Sequence, residues 1–185
     1  MTNKSILWRR LNQPGHEAAR LVHREAGWLL IGTAVFADKG LPCRLDYRIE
    51  CDPNWKTRSA RVMGWVDEAP VEIEITADEG LWRVNGATVT EVAGCVDLDL
   101  NFTPSTNLLP IRRLDLSVNA EAQVRAAWLR FPGFALEPLD QIYRRTGEHT
   151  YRYESAGGKF VRDLRVNAAG FVLEYPGLWQ ADGTV

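Results

Sequence analysis

The sequence predicts an all-β fold: an antiparallel barrel, roll or sandwich built as one meandering sheet in a single domain over residues 1–185. Three observations carry this. Apolar and charged side chains alternate with period 2 in run after run, turn signals separate the runs at spacings of roughly 8–12 residues, and helical periodicity is nearly absent.

The alternation is clearest from Cys43 to Cys51. Cys43, Leu45, Tyr47, Ile49 and Cys51 share one side, and Arg44, Asp46, Arg48 and Glu50 the other, as in a strand with one face buried. A strand around Trp28–Ala37 precedes it, closed by the turn Asp38-Lys39-Gly40. Asp52-Pro53-Asn54 leads into a strand over Arg58–Val66. Asp67-Glu68-Ala69-Pro70 then leads into Val71, Ile73 and Ile75, which alternate with Glu72 and Glu74. Asn85-Gly86 is the strongest hairpin dipeptide, because a type I′ turn needs positive φ at both central residues.

Ala122, Val124 and Ala126 oppose Glu121, Gln123 and Arg125. Tyr151 and Tyr153 flank Arg152, and Phe171, Leu173 and Tyr175 alternate with Val172 and Glu174. Gly157-Gly158 and Asn167-Ala168-Ala169-Gly170 mark two further hairpins. Glu17–Arg24 fits a short helix or a strand. Thr103–Arg113 contains Pro104 and Pro110, which forbid a strand ladder, so it reads as a loop or short helical turn lying against the sheet.

Composition narrows the function classes. A hydrophobic fraction of 45% and a charged fraction of 25% are globular averages, unlike those of disordered or membrane-spanning chains. The formal net charge is -2, with 22 Lys and Arg against 24 Asp and Glu, and no basic stripe offers a nucleic-acid surface. No apolar run approaches the ~20 residues of a transmembrane helix. The apolar run Ile6-Leu7-Trp8 is far shorter than the ~7–15 residues of a signal peptide, so the expected location is the cytoplasm. Cys43 and Cys51 on one strand would stand roughly 26 Å apart, beyond disulfide reach, and Cys95 is left over; reduced thiols suit that compartment.

The three His are scattered, without the clustered donors that zinc or iron requires, and no Gly-rich loop or nucleophile elbow is present. No cofactor, metal or catalytic residue is therefore assigned. The densest polar segment is GCVDLDLNFTPSTNLLPIRR, residues 94–113. Asp97 and Asp99 would share a strand face, with Cα atoms roughly 6.6 Å apart. Such a pair suits general acid/base chemistry, a solvated face, or a clasp in which Arg112 or Arg113 binds a carboxylate in bidentate fashion. The same groups, with Asn107, would suit the mouth of a cavity. Trp28, Trp65, Trp82, Trp128 and Trp179 are the large aromatic surfaces able to pack a core or stack on a ligand.

The 94–113 run, together with the tail Gly158–Trp179 and its Phe171-Val-Leu-Glu-Tyr-Pro-Gly-Leu-Trp segment, resembles a bacterial family labelled glycolipid-binding, earlier a domain of unknown function. Trp8-Arg9 and the strands around Tyr47 fit it too. The resemblance implies a spiral β-roll, shaped like the open half-barrels of bacterial lipoprotein carriers. It also implies non-enzymatic binding of a glycolipid or other amphipathic small molecule. The candidate ligand-binding residues are Asp97, Asp99, Asn107, Arg112, Arg113 and Trp82. Two other readings stay open: an enzyme on a sugar- or lipid-like substrate with an Asp acid/base, and a structural or partner-binding domain without a small ligand.

Overall fold

The computed structural model describes residues 4–182. The first half of the chain is a run of hairpins: β1 (Ser5–Arg10), β2 (Gly15–Arg24), β3 (Gly27–Asp38), β4 (Leu41–Cys51), β5 (Thr57–Val66), β6 (Ala69–Asp78), β7 (Leu81–Val84) and β8 (Ala87–Thr88). A short β9 (Leu98–Leu100) and a helix α1 (Leu108–Leu114) follow. The second half is β10 (Glu121–Arg130), β11 (Ala135–Gly147), β12 (Thr150–Ser155), β13 (Phe160–Val166), β14 (Val172–Tyr175) and β15 (Trp179–Ala181).

Among the described residues the fifteen strands form one open sheet in the order β8-β7-β6-β5-β4-β3-β2-β1-β15-β14-β13-β12-β11-β10-β9. The two halves join where β1 pairs with β15, and the pairing is antiparallel throughout except between β9 and β10. The turn chemistry holds at Asn85-Gly86, where φ is +48° and +82°, as a tight hairpin demands. The ambiguous Glu17–Arg24 segment is strand β2. In β14 the expected alternation breaks: Phe171, Val172 and Tyr175 are all buried, because the register shifts between Arg165 and Val166 on the neighbouring β13.

The sheet curls around the segment between β9 and β10. Every residue from Phe102 to Ile111 is buried, so this segment fills the core rather than lying on its surface. It runs through a 3-10 turn at Ser105–Asn107 into α1, and Phe102, Leu108, Leu109 and Ile111 join one continuous apolar cluster with the inward rows of the sheet. Pro110 stands in the first turn of α1, where its missing N–H costs no helical bond.

Residues 96–98 stitch the two halves a second time. The Thr57 amide donates to the Val96 carbonyl at 3.2 Å, and the Leu98 amide to Thr57 Oγ1 at 3.2 Å. On the other side the Ala127 amide donates to the Asp97 carbonyl at 2.9 Å. The Asp97 side chain fixes the far end of the buried segment: Arg113 Nε and Nη2 donate to its two oxygens at 2.8 and 2.6 Å. This is the bidentate clasp, with Asp97 side-chain exposure of 2% and Arg113 of 21%.

The asymmetry of that burial predicts unequal mutants. Arg113→Met strands a buried carboxylate and should cost ~3–5 kcal/mol. Asp97→Asn should cost less, since the guanidinium it frees reaches solvent. The double mutant should lose less than the sum, measured as urea unfolding midpoints. Additive losses would show that the two side chains do not act as a pair.

Candidate functional site

The site grows out of the same buried segment. On one side of it, strand alternation places Glu17, Ala19 and Leu21 of β2 inward, so a carboxyl enters the core. Tyr47 reaches it by lying across Gly32, its cross-strand partner, where an added Cβ would come within 2.3 Å of the phenol oxygen. Glu17 Oε1 accepts hydrogen bonds from the Tyr47 hydroxyl at 2.6 Å and the Thr103 hydroxyl at 2.5 Å. Ser105 Oγ sits 2.7 Å from Tyr47 and 2.8 Å from Thr103, closing the network. Burial pushes the Glu17 carboxyl up to about 8, against the smaller opposing pull of these hydroxyls. Its Oε2 is buried and, among the described residues, has no hydrogen-bond partner.

On the other side of Thr103 a cleft of about 420 Å³ opens, within the range of small-molecule sites. Its polar lining includes Arg10, Asp99, Asn101, Thr103 and Asn107. Its walls carry five aromatic rings, from Trp128, Tyr153, Phe160, Tyr175 and Trp179. Tyr153 is the hub of the wall, with ring centroids 6.0 Å from Phe160 and 6.2 Å from Tyr175.

Asp99 is the acidic group of the cleft. Gln141 Nε2 donates to its Oδ2 at 2.7 Å, and among the described residues no cation pairs with it. Burial raises its carboxyl to about 6, with the Gln141 bond pulling the other way. Tyr143, Tyr153 and Tyr175 all sense its charge, and burial above all keeps each phenol protonated. Asn107 Nδ2 donates to the Tyr143 hydroxyl at 2.9 Å, which orients the amide at the cleft floor.

The structure divides the residues singled out in the sequence. Asp99 and Asn107 line the cleft, as do Trp128 and Trp179. Asp97 and Arg113 are spent on each other, so the two aspartates do not converge on one reaction point. Arg112 turns away and covers the Trp55 ring at 5.4 Å, and Trp82 is core, its indole N–H donating to the Cys95 carbonyl at 2.9 Å. Sequence reasoning passed over Arg10, Glu17 and Gln141. A signal existed for the first two: Arg10 follows Ile6 and Trp8 at strand period, and Glu17 precedes Ala19 and Leu21 in the same way. Charged residues at inward positions are costly, which marks them.

Fold and cleft together define a β-roll with a half-enclosed, aromatic-walled pocket. The particular family follows from comparison: residues 5–181 match the family described as "Putative glycolipid-binding", and the chain belongs to it. A crystal structure of a DUF1089 family protein from Pseudomonas aeruginosa is similar, with 32% identity, a TM-score of 0.80, and coverage of 89% of this chain and 90% of that one. No functionally curated protein shows significant sequence similarity to the chain. Among the described residues no helix is long and apolar enough to cross a membrane.

The raised Glu17 carboxyl makes stability depend on pH. Its folded value, about 8, lies above the ordinary 4.5, so the folded state keeps a proton that the unfolded chain releases. Its contribution is full below about 4.5 and is lost as pH rises through about 8. Asp99, at about 6, contributes its own loss at lower pH. Above pH 6 the decline in urea midpoint should therefore be steeper for the wild type than for Glu17→Gln. Parallel declines would rule out Glu17 as the titrating group.

Proposed function

We propose that the protein binds an amphipathic small molecule with a hydroxyl-rich head, a glycolipid or a compound of like chemistry, in the cleft around Asp99. The observation that carries this reading is the lining itself, which combines a carboxyl, amides and hydroxyls with five aromatic rings. Sugar hydroxyls need paired donors and acceptors, and sugar C–H faces or an acyl chain need flat apolar walls. The family description supports the same class of ligand. Three buried, unpaired cysteines support a cytoplasmic location.

One observation favours a second reading. Asp99 sits in an open cleft with its carboxyl raised to about 6, the range of a general acid/base. With Asp97 locked to Arg113, such an enzyme would work with a single carboxyl rather than a pair.

The test titrates octyl β-D-glucopyranoside, below its micelle concentration, against the intrinsic fluorescence of the cleft tryptophans Trp128 and Trp179. The expected result is a saturable change that weakens about tenfold or more in Asp99→Asn and in Trp179→Ala, since hydrogen bonds to charged groups and ring contacts are each worth on the order of 1–3 kcal/mol. Trp65→Ala, on the outer face, should bind as the wild type does. An unsaturable signal, or equal affinity in all variants, would overturn the reading. Release of nitrophenol from a p-nitrophenyl glycoside, lost in Asp99→Asn, would replace it with the enzymatic one.

A further inference from the structure

Arg10 is a half-buried cation that forms no ion pair among the described residues. It ends the inward row Ile6, Trp8, Arg10 of β1 and lines the cleft. Its guanidinium carbon lies 4.8 Å from the Phe36 ring centroid and 5.2 Å from that of Trp179, so aromatic surface holds the group in place. Nε donates to Asn12 Oδ1 at 3.1 Å. Nη1 is buried, and among the described residues it has no hydrogen-bond partner and no carboxylate forms an ion pair with Arg10.

The nearby acids act on it only through space, Asp38 first, and neither hydrogen-bonds it among the described residues. Arg10 senses Asp38 and Glu17, but burial keeps Glu17 largely protonated at neutral pH. The same protein shows how it treats a structural arginine: Arg113 has Nε and Nη2 both engaged by one carboxylate. An arginine with an open donor beside a cavity is therefore unexplained by packing alone, because a buried N–H without an acceptor is costly. The cleft also carries both signs of charge: Asp99 and Arg10 line it, and they form no ion pair with each other among the described residues.

We propose that Arg10 is an oxyanion subsite, receiving a carboxylate or phosphate group of the ligand while the hydroxyls of its head reach Asp99, Asn101 and Asn107. The guanidinium fork matches such planar or tetrahedral oxyanions, and the rings on either side hold it oriented before the ligand arrives. This deepens the reading of the cleft as a sugar-lipid site and rests on it: the ligand class becomes an acidic glycolipid or acidic sugar derivative.

The experiment compares octyl β-D-glucopyranoside with octyl β-D-glucuronide, D-glucuronate and inorganic phosphate by cleft-tryptophan fluorescence. Wild-type protein should prefer the glucuronide over the glucoside by about tenfold, the scale of one charge-assisted hydrogen-bond pair. Arg10→Gln should remove that preference, weakening the glucuronide by about tenfold more than it weakens the glucoside. Arg10→Lys, which keeps the charge but loses the fork, should retain part of it, and carries the test if the Gln variant does not fold. Tight, Arg10-dependent binding of glucuronate or phosphate without the alkyl chain would uphold the subsite, assign it to a free small acid, and overturn the glycolipid reading. Equal binding of glucoside and glucuronide, or a preference that survives Arg10→Gln, would overturn the subsite and leave the glycolipid reading standing. No saturable binding of any probe would overturn both.

Discussion

The burial of residues 102–111 inside the curl of the sheet is the constraint on which the rest of the molecule depends. A segment so placed brings backbone and side-chain polar groups out of reach of water, and each must find a partner. Tyr47, Glu17 and Gln141 project from the sheet to meet those partners or their neighbours. Thr103 and Ser105 meet Tyr47 and Glu17, and Asn107 meets Tyr143. The Asp97–Arg113 pair then closes the segment at its two ends, tying the residue before β9 to the last turn of α1. Without the segment the sheet would curl around empty space. Without the curl the segment would expose Leu108, Leu109 and Ile111.

The cleft is a by-product of the same arrangement. Where the segment leaves β9 it does not fill the space beside β12, β14 and β15, and Tyr153, Tyr175 and Trp179 of those strands line what remains. The carboxyl of Asp99 and the guanidinium of Arg10 border this space, and among the described residues neither forms an ion pair. Charged groups at the edge of an apolar cavity destabilise the empty protein and gain most from a ligand that pairs them. This is the physical basis for reading the cleft as a binding site rather than a packing defect.

Family membership and the physical argument meet at this cleft without depending on each other. The match over residues 5–181 and the similar Pseudomonas aeruginosa structure establish the fold and the family. The chemistry of the pocket is argued from the side chains that line it. An apolar carrier would have no use for a cleft with both signs of charge, whereas a ligand with hydroxyls, an acid and an apolar face would use every part of it.

Local physics made the strands legible in the sequence, because a half-buried strand imposes period 2 and a tight hairpin imposes turn residues. Cys43–Cys51 and Asn85-Gly86 follow from neighbours along the chain. The clasp was legible as an option, since two aspartates and two arginines flank a proline-bounded loop, but only the path of the chain selected Asp97 with Arg113 and sent Arg112 to Trp55. The cleft was legible only at Asp99, Asn107, Trp128 and Trp179. Arg10, Glu17, Gln141 and Tyr153 are distant in sequence, and no spacing rule relates them. They are brought together by the β1–β15 pairing and by the curl of the sheet around a buried segment. Those are long-range consequences of packing, decided by which apolar surfaces can be covered at once rather than by any pattern that one strand carries.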